Sequence, residues 1–126
     1  MQRYWFALIT AVLVGAVIGT GMFYICRTSW DMEQLIRSAE EALAAQDEES
    51  ALRFLKEGEA LWEERQNFLE AVLDHAAVEQ VSAPLAEAAA FLEYHQPAHS
   101  AARCRALLQT LQELRDGQQF SFYNLF

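Results

Sequence analysis

Proline and glycine are scarce in this chain, two and five respectively among 126 residues, and neither occurs between Met22 and Gly58. Long uninterrupted helices are therefore allowed, whereas a fold built on glycine-rich turns is not. Three of the five glycines, Gly15, Gly19 and Gly21, fall in one apolar run, so no phosphate-cradling loop or dinucleotide fingerprint can be assembled. Basic side chains are few as well, nine against 18 acidic, and only Arg103 and Arg105 approach a cluster. This argues against a nucleic-acid partner, because displacing counterions from a phosphate backbone needs grouped lysines and arginines. Cysteine is limited to Cys26 and Cys104, too few for a disulfide framework. Sustained period-two alternation, the mark of half-buried strands, is missing too.

What is present divides into two populations that the near-zero mean hydropathy conceals. Tyr4 to Cys26 is an uncharged run of 23 residues, while residues 31–126 carry 18 acidic and seven basic side chains, a net of −11. As a helix the run would rise roughly 34 Å at ~1.5 Å per residue, enough to cross a hydrocarbon core of ~30 Å. A cleaved secretory signal is the rival reading, with Gly19-Thr20-Gly21 as the small-residue stretch. The run is longer than the ~7–15 residues of a signal core, which favours an uncleaved anchor. Lipidation of Cys26 is disfavoured because Phe23-Tyr24-Ile25 precede it where a small residue belongs. Tyr4, Trp5 and Phe6 at one end, and Phe23, Tyr24 and Trp30 at the other, suit interfacial aromatic belts. The short N-terminal tail and signal-like start place the N-terminus in the cytoplasm and the acidic domain outside it. Ala7, Ala11, Gly15 and Gly19 recur every four residues, a small-residue face on which a second copy could dimerise.

Beyond the run, Met32, Leu35, Ile36, Ala39, Ala42 and Leu43 recur at threes and fours, which predicts a helix over about 31–46, with Glu33, Arg37, Glu40 and Glu41 between them. With no glycine or proline at the junction, apolar run and helix can form one rod. Gln46 to Ser50 is the first turn, with Asp47 as the cap of the next helix. That second helix shows Phe54, Leu61, Phe68 and His75 seven apart, flanked by Leu55, Trp62, Leu69 and Ala76. It is expected to end at Pro84, with Ser82 capping a third helix over about 84–95. A fourth follows Pro97 and is expected to stop at Gly117. The fold class is therefore all-α: a single N-terminal transmembrane helix followed by a small antiparallel helical bundle. The expected division is an anchor over 1–28, an acidic bundle over 29–117, and an apolar tail over 118–126 docked on the bundle or at the membrane interface.

Few residues invite chemistry. His75 and Glu79 stand at i, i+4, which could hold a metal or pair a base with its orienter. Two ligands do not make a site, and the heptad position predicts a packed histidine bonded to a carboxylate. Trp62 is assigned to the core, and His95 and His99, separated by Pro97, to a loop. Asp47 to Glu49 and Glu63-Glu64 lack the ligand spacing of a calcium loop and read as solvated faces. The two cysteines are expected at different heights of the bundle, and so unpaired within one chain. No cofactor and no metal is implied.

Trp62, Phe68-Leu69, Asp74-His75, Val78-Glu79, Val81, Leu85 and the ending Ser121-Phe122-Tyr123-Asn124-Leu125-Phe126, behind a short N-terminal span, form a recognisable pattern. It resembles a family of small bacterial membrane proteins, chiefly Gram-positive, classed as a domain of unknown function (number 4363). Where that family carries an acid two residues after the histidine this chain has Ala77, and its later aspartate is Glu79 here. The resemblance implies a membrane location and an all-helical build, and it singles out His75 and the tail residues Ser121, Asn124 and Phe126. It supplies no activity. The expectation is thus a non-enzymatic single-pass membrane protein presenting an interaction or scaffold domain. Its partners would be the lipid bilayer and either another protein or a second copy. Two alternatives stay open: a regulatory or sensor subunit of a membrane complex, and a metal-binding or catalytic domain using His75 and Glu79.

Overall fold

The computed structural model describes residues 2–125, with side chains described at all but Val72 and residues 118–125. Four helices make up the fold, with no strand among the described residues: α1 over Gln2–Ala44, α2 over Glu48–Val72, α3 over His75–Glu93 and α4 over Pro97–Leu125. The all-α class expected from the sequence is the one observed. Helix α1 runs unbroken for 43 residues, because nothing in it removes a backbone donor or terminates the turn. Its N-terminal part, Tyr4 to Thr20, is exposed along its whole length. From Gly21 onward it buries one stripe, Gly21, Ile25, Thr28, Ser29, Met32, Glu33, Ile36 and Ala39, at the three-and-four spacing of a helix face.

The helices run alternately up and down. Helix α1 packs against α2 and α4, and α3 closes the bundle against the same two. The core is fully buried Met32 and Ile36 from α1, Leu55 from α2, Val78 and Leu85 from α3, and Leu107 and Leu111 from α4. Each such side chain contributes about 1.5–3 kcal/mol relative to remaining in water. At Gly58 the helices approach closely, with Leu85 Cδ1 and Met32 Cε each 3.7 Å from where a Cβ would lie.

Both turns at the end of the bundle remote from the exposed segment use a left-handed residue that is not glycine, Gln46 at φ 60° and His95 at φ 57°. After α1, the amides of Gln46 and Asp47 return to the carbonyls of Leu43 and Ala42; after α3, those of His95 and Gln96 return to Leu92 and Phe91. This is the helix-ending motif in which glycine normally sits, and a side chain there carries a steric cost of about 1–2 kcal/mol. Asp47 caps α2 as expected, its carboxylate accepting from the Ser50 amide at 3.1 Å. That bond holds the Asp47 carboxyl below its ordinary value.

Several expectations are corrected. Helix α2 ends at Val72 rather than Pro84, because Leu73 turns extended and the Asp74 carboxylate accepts from the Ala77 amide at 2.8 Å, starting α3 nine residues early. Pro84 lies inside α3, and Ser82 caps nothing. Helix α4 passes through Gly117 to Leu125, since a glycine stops a helix only where the chain turns left-handed, and Gly117 does not. His99 belongs to α4, its ring 5.3 Å from that of Phe91, so only His95 is a turn residue.

Candidate functional site

At the foot of the bundle, where α1 changes from exposed to packed, its polar residues meet two arginines from other helices. Arg65 of α2 donates through Nη1 to Thr28 Oγ1 at 3.1 Å, and its Nη2 lies 3.4 Å from Asp31 Oδ2. Arg115 of α4 donates to Glu33 Oε2 at 2.6 Å. The Glu33 side chain is 1% exposed and that of Arg115 26%. The two guanidiniums also lie over aromatic rings, Arg65 over Tyr24 at 5.5 Å and Arg115 over Trp30 at 5.9 Å. A charged carboxylate in a core costs several kcal/mol unless it is paired, so Glu33 requires Arg115, which fixes α4 against α1. Arg65 ties α2 to α1 through Thr28 and Asp31, with both members of that ion pair about a quarter exposed.

The pairing is incomplete. Among the described residues, Glu33 Oε1 and Ser29 Oγ are buried without a hydrogen-bond partner. Arg37 Nη2 stands 3.9 Å from Glu33 Oε1, close enough for charge attraction and too far for a hydrogen bond. The cluster holds charge and positions helices. Among the described residues, no three histidine, cysteine, aspartate or glutamate side chains are grouped to hold a metal ion.

The residues singled out from the sequence are dispersed. His75 is the first residue of α3 and exposed, as is Glu79, so the packed histidine expected there is not found. The reason is register: Leu55, Trp62 and Leu69 face the core, while Phe68, in the series leading to His75, is 41% exposed. Trp62 is in the core as expected, and its indole N–H donates to Ser82 Oγ at 2.7 Å. Ala7, Ala11 and Gly15 line one exposed apolar groove with Phe6, Thr10, Val14 and Ile18. Gly19 is one further turn along the same helix. Ser121 and Asn124 are on the last turns of α4, where side chains lie outside the described residues, as does Phe126 altogether. The thiols of Cys26 and Cys104 are both free, and burial pushes that of Cys104 up to about 11.

Sequence reasoning missed Glu33, Arg65 and Arg115. The signal existed for Glu33, which sits four residues after Ser29 and three before Ile36, on the buried stripe itself. Another concavity is a shallow hollow of about 460 Å³ at the far end, lined by Glu40, Glu41, Pro97 and Arg105 among others. Arg105 there lies 3.5 Å from Glu40 and is itself largely exposed.

No curated protein and no solved structure matches this chain. A family model described as Domain of unknown function (DUF4363) matches residues 20–125. The match opens at the residue before Gly21, where α1 begins to be buried, and extends through all four helices of the bundle. The chain belongs to the family defined by that domain of unknown function, DUF4363.

Proposed function

We propose that this chain is a single-pass membrane protein whose N-terminal helix anchors an acidic four-helix bundle outside the cytoplasm. The bundle serves as an interaction or scaffold domain rather than as a catalyst. One observation carries the reading: α1 is long and apolar enough to cross a membrane, and only 6% of its most apolar window is buried. A core helix of a soluble protein would bury that surface. Continuity of α1 into the bundle supports a rigid presentation of the domain at the membrane. Shallow concavities and a polar cluster used for packing support interaction over turnover. The partner is another protein held by the bundle, or a second copy held by the Ala7, Ala11, Gly15 and Gly19 face.

The test is crosslinking and capture from native membranes, with the intact chain beside a chimera carrying the bundle on an unrelated membrane helix. Recovery of the same stoichiometric partner by both assigns the interaction to the bundle. Recovery by the intact chain alone assigns it to the span. Capture of nothing beyond background by either, in membranes where the chain is abundant, contradicts the scaffold reading.

A further inference from the structure

The exposed apolar part of α1 is shorter than the uncharged run that contains it, because the bundle takes up residues from Gly21 onward. Tyr4 to Thr20 is 17 residues. As a helix it supplies about 25 Å of apolar length against a hydrocarbon core of ~30 Å, a shortfall of about 5 Å. A span too short for its bilayer is drawn in until other apolar surface meets the lipid, or the bilayer thins around it. Apolar surface is available at the level where the span ends. Phe23 is 71% exposed and Phe68 41% exposed, although both are large apolar side chains. Phe68 rests against Tyr24 with ring centroids 4.2 Å apart, which places this stretch of α2 beside residues 23 and 24 of α1. Leu73, half-buried, follows in the turn to α3.

We infer that the foot of the bundle is itself a lipid-contacting surface, seated in the headgroup zone with Phe23, Phe68 and Leu73 against the acyl-chain boundary. The bundle does not stand clear on its helix. The depth is bounded by charge: Glu70, Asp74 and His75 are exposed at the same end and remain in the hydrated part of the interface. Seating at this level also sets the polar cluster immediately above the lipid. Arg65 and Arg115, laid over Tyr24 and Trp30, then clamp α2 and α4 to α1 where the rod leaves the membrane. This inference rests on the membrane-anchor reading above and adds that a second, separate surface touches lipid.

The test is spin-label accessibility on the full chain in phosphatidylcholine–phosphatidylglycerol vesicles, in a Cys26→Ser, Cys104→Ala background. Labels are placed one at a time through Ile9→Cys in the span, Phe68→Cys at the foot and Tyr94→Cys at the far tip. Phe23→Cys serves as a second foot probe that does not disturb the Tyr24–Phe68 contact. The ratio of collision with dissolved oxygen to collision with a water-soluble nickel chelate reports depth. Foot labels with a ratio several-fold above that at residue 94, and below that at residue 9, support the inference. Foot labels as wet as residue 94, with residue 9 in lipid, overturn the seating and leave the anchor intact. A wet label at residue 9 overturns both.

Discussion

Replacing Arg115 with leucine removes the one hydrogen-bonded partner, among the described residues, of a carboxylate that is 1% exposed. Uncompensated buried charges of this kind cost about 3–5 kcal/mol. The lower end applies, because Arg115 is itself a quarter exposed and Arg37 remains 3.9 Å from the carboxylate. A loss of about 3 kcal/mol lowers the melting temperature of a domain this size by roughly 10–20 °C. The variant is to be melted in lipid nanodiscs, as the full chain, by far-ultraviolet circular dichroism. The double variant Glu33→Met, Arg115→Leu deletes both charges and fills the space with apolar atoms, and should regain most of the loss, since well-packed apolar replacements of buried pairs are often neutral or stabilising. If Arg115→Leu melts within about 1 kcal/mol of the parent, or if the double variant is no better than the single, Glu33 is not held in the core by this pair.

Ser82→Ala leaves the Trp62 indole N–H without its acceptor and should cost about 1–2 kcal/mol in the same melt, whereas no change would mean that water replaces the bond. Gly58→Ala should stabilise by about 1 kcal/mol, because the added methyl meets Leu85 and Met32 at ordinary contact distance and alanine favours the helix; a lower melting temperature would refute this. Lys56 is raised above its ordinary value of 10.5, chiefly by its hydrogen bond to Glu93, which joins α2 to α3. A raised lysine stabilises fully below 10.5 and loses that contribution as pH climbs through its folded value, so the stability gap between the parent and Lys56→Met should close in strong alkali. Lys56 is half exposed, so the gap at neutral pH is at most about 1 kcal/mol.

The long helices were legible because their causes are local. Neither glycine nor proline occurs between Met22 and Gly58, and α1 runs through the end of the apolar run to Ala44. Asp47 followed by two acids is a helix start on any reading, and it is one here. At the boundary between α2 and α3 the aspartate outweighs the proline. Pro84 forgoes one backbone bond inside a packed helix, while Asp74 supplies a capping bond at a turn that carries neither glycine nor proline. The adjacent series Leu55–Trp62–Leu69 and Phe54–Leu61–Phe68 have the same seven-residue period and lie about 100° apart around the helix. Periodicity cannot choose between them; packing against α1 and α3 does. Charge sets Glu33 apart from the apolar positions around it, although its spacing from Ser29 and Ile36 puts it on the buried stripe. Its partner on α4 lies 82 residues away, beyond the reach of any local rule.

If one helix is both anchor and core element, the mature chain keeps its N-terminus. The chain is to be expressed at native level, its membranes washed with alkaline carbonate, and pellet and supernatant examined by intact-mass spectrometry. The full 14.3 kDa chain, residues 4–26 retained, is expected in the pellet. A product beginning near Met22 and released to the supernatant would show that the apolar segment is a discarded leader, and would contradict both the anchor and the seated bundle.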